Sequence, residues 1–293
     1  ALVQMNIRLN NVLKDISGLT GMRIIRDIVA GCHDPQALAQ HRDFRCHHSE
    51  AEIVKSLEGN YRPELIFVLR QALELFDFYS TQIHACDEQI QRLYAQFDAQ
   101  VDPVAHPLQP PKRKRNAPRD NEPDFDLRLY LYQMTGVDLT LIDGISALTA
   151  QTVLSETGTD MSRWPTVKHF TSWLGLSPRN DISGGKVLKR GTRKTHNRAR
   201  QALRMATLSL SRSDSALGAF YRRMRAKSGP QKANTATAHK LARIIYFMLK
   251  RREEYVDPGE AYYQEKYRQR LIHNLQRKAK SLGLQLVPVE SET

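Results

Sequence analysis

No apolar run in this 293-residue chain approaches the ~20 residues needed to cross a bilayer, and its first residues lack a basic-then-apolar leader pattern. The sequence therefore argues against a membrane partner and for a soluble, cytoplasmic protein. Cysteine is also scarce: Cys32, Cys46 and Cys86 are odd in number and widely spaced, unlike a secreted disulfide framework, and are expected to be reduced. The cluster CHDPQALAQHRDFRCHH, residues 32 to 48, invites a zinc reading. It lacks the paired two-to-four-residue ligand spacing of tetrahedral sites, so these side chains read as scattered, and no metal is assigned to this chain. The chain opens on Ala1, already in a helical pattern and without an initiator methionine, which hints at a missing N-terminal portion.

Acid is what the middle of the second half lacks. Between Lys186 and Arg204 stand Lys186, Lys189, Arg190, Arg193, Lys194, Arg198, Arg200 and Arg204, with no Asp or Glu among them. Over the whole chain 44 Lys and Arg face 31 Asp and Glu, for a net charge of +13. Such an excess asks for a polyanion, and nucleic acid is the first candidate.

The apolar periodicity is that of helices almost throughout, so the expected fold class is mainly α. Leu2, Met5, Leu9, Val12, Leu13 and Ile16 fall on one helical face of residues 2 to 16, which predicts an amphipathic helix. A second helix runs from Leu19 to a stop at Gly31; Asp34 caps a third; Ser49 with Glu52 forms a capping box for a fourth. From Pro63 the pattern is unbroken to Phe97. Within it Leu69, Ala72, Phe76, Tyr79, Ile83, Cys86, Ile90, Leu93 and Phe97 repeat every seven residues, the mark of a coiled coil or of a stripe packed inside a bundle. A homo-oligomer is a plausible consequence.

Six prolines and the run Lys112 to Arg115 then break regular structure over 98 to 123. The expected organisation is a helical region at 1–97, a Pro-rich basic linker at 98–123, and a second helical domain at 124–293. In that domain residues 141 to 156 have the form of two short helices joined at Gly144, Ile145 and Ser146, a helix-hairpin-helix-like unit whose backbone N–H groups could hold a phosphate. Further helices are expected over 126–134, 166–174, 195–210, 216–227, 235–252 and 260–281. The turn-rich segment GLSPRNDISGG between them places Ser183 on a loop.

Ser183 is the candidate nucleophile. A serine hydroxyl is weak at neutral pH and needs a base or metal beside it, and positive charge for the extra negative charge of the transition state. Lys186, Lys189, Arg190 and Arg193 supply the charge, and Gly184 removes side-chain bulk that would keep a nucleic-acid backbone away. The base is missing locally: Asp181 is the nearest carboxylate, and no Asp or Glu trio has metal-box spacing. By pattern alone, a serine in a glycine turn is more often structural than catalytic.

The order IDGISALTAQTVLSETGTD, WPTVKHFTSWLGLSP, ISGG, KRG and a basic helix resembles the C-terminal domain of the insertion-sequence 110-type transposases, the DEDD relatives of the Piv invertase. The upstream helices are similar to the same family's helical middle region. The resemblance implies DNA transposition or site-specific recombination, by strand cleavage and rejoining through a phosphoserine link. It also implies DNA as substrate, a bridge RNA as guide, nucleoid association in a bacterium, assembly through the coiled coil, and Ser183 as nucleophile. Mg2+ would be held by a strand-rich RuvC-like domain that this sequence does not contain, so the segment alone would not cut DNA. The family's helix arginine matches either Arg198 or Arg200. Two rivals stand beside this reading: a non-catalytic DNA- or RNA-binding and oligomerisation module, and a structural adaptor built on the coiled coil.

Overall fold

A computed structural model describes residues 1–111 and 122–287, and within a strand pair of the second half it leaves the side chains of Asp181, Lys189 and Arg190 undescribed. The KRKR run at 112–115 thus lies outside the described residues. The fold is mainly helical, and it separates into two compact units, Ala1–Gln89 and Ile90–Thr293.

Residues 2 to 16 do not form one helix: a 3-10 turn at Val3–Met5 and a four-residue helix α1 (Leu9–Val12) are separated by Asn6 in the left-handed region at φ 62°. Tertiary contacts override the apolar periodicity here. The Arg8 N–H donates to the Ser56 carbonyl and the Asn60 N–H to the Met5 carbonyl, so the segment is held as an irregular strap while Met5, Ile7, Leu9 and Leu13 are still buried. Helices α2 (Leu19–Ala30), α3 (Pro35–Ala39) and α4 (Glu50–Ser56) follow the sequence, with Asp34 accepting from two backbone N–H groups and the Ser49–Glu52 capping box complete. Side chains of the 32–48 segment serve this packing: Cys32 and Cys46 lie against the core, His33 stacks on Tyr61, and His41 pairs with Asp27.

Helix α5 (Pro63–Tyr94) is one helix of 32 residues. Its first turns, through Leu65, Ile66, Leu69 and Leu73, cover the core of the first unit, and Asp77 receives a forked pair of hydrogen bonds from Arg26. Beyond that, Phe76, Tyr79, Ile83, Leu93 and Phe97 of the seven-residue stripe are exposed.

The second unit is built around α11 (Pro230–Arg251), whose small residues Ala233, Ala238 and Ala242 let neighbours approach closely and whose Leu241, Ile245 and Tyr246 fill the core. It starts earlier than its periodicity suggests, because Pro230 occupies the first helical position, where a missing N–H costs nothing. Against it pack α8 (Val167–Trp173), α9 (Arg198–Ser209) and α10 (Ala216–Ser228). Phe170 and Tyr246 are fully buried with ring centroids 5.6 Å apart, and the Tyr246 hydroxyl donates to the Trp164 carbonyl at 2.9 Å. Each such side chain contributes roughly 1.5–3 kcal/mol by leaving water. Helices α6 (Leu127–Thr135) and α7 (Ala147–Thr157) complete the core, and α12 (Gly259–Ser281) lies along α10 with no buried residue. The described part of the Pro-rich stretch is irregular but tied down: the Gln100 N–H donates to the Gln133 carbonyl, and Arg128 and Tyr132 donate to the carbonyls of Gln109 and His106.

Candidate nucleic-acid interface and serine hairpin

Ser183 does not lie on an open loop. It ends strand β1 (Pro178–Ser183), which pairs antiparallel with β2 (Lys186–Thr192), and Gly184–Gly185 is the two-residue turn between them. The reason is local. Both glycines have positive φ, 55° and 76°, the backbone of the tight turn whose twist matches a hairpin. PRNDIS has no apolar alternation to announce a strand, and among the described residues the hairpin buries no side chain: Ile182 and Leu188 are 62% and 71% exposed.

The register sets Ser183 directly opposite Lys186. Opposed residues share a face, with Cβ atoms about 4.5–5.5 Å apart, so a cation stands beside an exposed hydroxyl at the hairpin tip. Lys189 and Arg190 pair with Asp181 and Asn180; their side chains lie outside the described residues. Arg193 is exposed just past β2.

The two helix arginines divide. Arg198 projects from the first turn of α9, 3.8 Å from Glu156. Arg200 turns back onto the chain leaving the hairpin, donating to the Thr192 hydroxyl at 3.2 Å and to the carbonyls of Arg193 and Thr195 at 3.4 and 3.5 Å. Burial, with Arg204 adding repulsion, pushes the Arg200 guanidinium below its ordinary pKa. Arg200 is thus placed to hold the hairpin root.

The expected two-helix unit around Gly144 has only a 3-10 turn, Leu139–Leu141, as its first arm. Gly144, at φ 90°, is pressed against α9: an added Cβ would stand 2.8 Å from the Ala206 carbonyl. The Ser146 hydroxyl caps α7 by accepting from the Thr149 N–H. Asp138, nearly fully buried, accepts from Arg128 and from the backbone and hydroxyl of Thr140, which fixes the start of this turn.

A feature the sequence reading missed lies at the hairpin root. A cleft of about 1330 Å³ opens between α9, α10, α11 and α12, and Pro178, Asn180, Gly191 and Thr192 of the hairpin form one wall. Arg200, Arg204, Lys232, Lys240, Arg243 and Lys266 line it together with His239, and among the described residues no Asp or Glu does. Aromatic rings alternate with these cations: the Lys240 ammonium lies 4.2 Å from the Phe220 ring centroid, and the Lys266 ammonium 4.6 Å from that of Tyr262. Burial first, then the surrounding Arg223, Arg270 and Arg243, lowers the Lys240 pKa; burial, then Arg243 and Lys240, lowers that of His239. The signal was present in α11 as a second stripe, Lys232, Thr235, His239, Lys240 and Arg243 at helical spacing, opposite the apolar one.

Among the described residues no group of three or more His, Cys, Asp or Glu could hold a metal ion, and no helix is long and apolar enough to cross a membrane. No curated protein matches the chain. Residues 138–222, which hold the Gly144 turn, the serine hairpin and α9, match the model of the Transposase IS116/IS110/IS902 family and so support an insertion-sequence 110-type transposase.

Proposed function

We propose that this chain carries the nucleophile of a serine-dependent transposase, with Ser183 attacking a DNA phosphodiester and Lys186, Lys189, Arg190 and Arg193 holding the phosphates around it. The observation that carries the reading is the position of an exposed hydroxyl at a hairpin tip, opposite a lysine, inside the segment that matches a transposase family. In the step, a bond forms between Ser183 Oγ and phosphorus as one phosphorus–oxygen bond to a deoxyribose breaks. The serine proton goes to a base and the departing sugar oxygen gains one. Attack by a sugar hydroxyl on the phosphoserine reverses these changes and rejoins the strand, so the bond energy is conserved.

The cations act where negative charge grows on the phosphoryl oxygens. Lys186 is the nearest of them by register. Arg200 is a positioning residue, and Arg198, Gly144 and Ser146 are assigned to backbone contacts farther along the DNA. Among the described residues no cluster fits a metal; Mg2+, as the family resemblance implies, would be held by a separate acidic RuvC-like domain and would there supply activation of the hydroxyl. A guide RNA and a homo-oligomer assembled through the exposed stripe of α5 belong to the same proposal. So does the division into a helical region at 1–97, a linker at 98–123 and a transposase domain at 124–293.

The test is a covalent adduct. Ser183→Ala in the intact transposase abolishes the protein–DNA band that survives denaturing electrophoresis. An adduct that persists in this variant removes Ser183 from the chemistry and favours a non-catalytic binding module.

A further inference from the structure

We infer that the aromatic, cationic cleft at the hairpin root holds an unpaired stretch of the DNA strand whose phosphate Ser183 attacks. The inference rests on the assignment of Ser183 and adds what the flanking strand does. Four observations carry it.

The first is size: about 1330 Å³ exceeds the roughly 300–1,000 Å³ of small-molecule sites, as a polymeric ligand requires. The second is charge, since among the described residues the lining has many cations and no carboxylate. Burial, then the repulsion of neighbouring cations, disfavours the charged forms of Lys240 and His239, and a phosphate beside them relieves that cost. The third is the interleaving of rings and cations. Tyr262 is 48% exposed at the cleft wall, and a ring offered in this way stacks on a base whose face is free, which paired and stacked duplex bases lack. The fourth is continuity. Asn180 lines the cleft and Ser183 lies three residues farther along β1, about 10 Å at strand rise, or about three stacked nucleotides. A strand engaged at Ser183 therefore reaches the cleft without a break, which makes the occupant DNA of the same strand.

The experiment measures fluorescence anisotropy of the intact transposase with a labelled single-stranded oligodeoxynucleotide, its duplex, and the RNA of the same sequence. Tyr262→Ala weakens single-stranded DNA binding roughly 5- to 150-fold, the loss of one base stack, and leaves duplex affinity unchanged; Tyr262→Phe retains binding. Lys232→Ala, at an exposed position of the same cleft, lowers the slope of log affinity against log salt by about 0.7 for single-stranded DNA. Arg163→Ala, a charge loss away from the cleft lining, leaves that slope unchanged. Equal losses for single strand and duplex, no loss in Tyr262→Ala, or tighter Tyr262-dependent binding of RNA than of DNA each overturn the inference. Because binding is read without chemistry, these results are independent of whether the Ser183 adduct forms.

Discussion

Replacing both Gly184 and Gly185 by alanine isolates what the hairpin contributes. Both positions have left-handed φ, and an added Cβ at either would meet nothing within 4 Å, so the cost is that of backbone conformation alone. A left-handed residue with a Cβ costs about 1–2 kcal/mol, so the pair costs about 2–4 kcal/mol. A two-stranded hairpin is itself marginal in water, and among the described residues none from 178 to 192 belongs to the buried core cluster. The strands therefore separate at the tip while the helical unit keeps its thermal midpoint. Hydrogen exchange read by mass spectrometry on the peptide spanning β1 and β2 shows amides exchanging roughly 30- to 900-fold faster, up to the free-chain limit. Gly184→Asn keeps protection, because asparagine tolerates the left-handed region. The reasoning fails if the double alanine variant is protected like the parent, or if the asparagine variant opens as far as the alanine one. A protected Gly184→Asn protein that still loses adduct formation would show that Gly184 also serves close approach of DNA.

Two further outcomes follow from buried charge. Among the described residues, Arg128→Ala leaves the Asp138 carboxylate with only its Thr140 donors, and a urea melt should lose about 3 kcal/mol, the lower end for a broken buried pair; a loss well under 1 kcal/mol would contradict the pairing. His239 has a folded pKa below its ordinary 6.5, so the fold prefers the neutral ring. Its contribution to stability is whole above that value and shrinks as pH falls below it, and His239→Gln should flatten this part of the stability–pH curve; an unchanged curve would refute it.

The helices were legible where local chemistry and packing agree: the Asp34 cap, the Ser49–Glu52 box and the Gly31 stop all stand where the residues put them. The strap at residues 2 to 16 was not, because its apolar periodicity is satisfied by bonds from Arg8 to Ser56 and from Asn60 to Met5, partners some fifty residues away that no local pattern reveals. The hairpin was half legible. Gly184 and Gly185 marked a turn, but strands exposed on both faces carry no alternation. The cleft was legible only as the polar stripe of α11: its cations come from α9, α11 and α12, each an ordinary solvated face when read singly, and only folding puts them around one space. Arg200, expected as a phosphate ligand, also bonds to Thr192, Arg193 and Thr195, contacts between the helix and the hairpin root that its sequence position did not announce.

The central claim is that the hydroxyl at the hairpin tip becomes covalently joined to DNA. Its most direct measurement is peptide mapping of the denatured protein–DNA adduct by mass spectrometry after nuclease and protease digestion. The account predicts a nucleotide mass on the hairpin peptide, fragmenting to Ser183, and its absence in Ser183→Ala. A nucleotide on another residue, or an active transposase with no modified peptide, would contradict it.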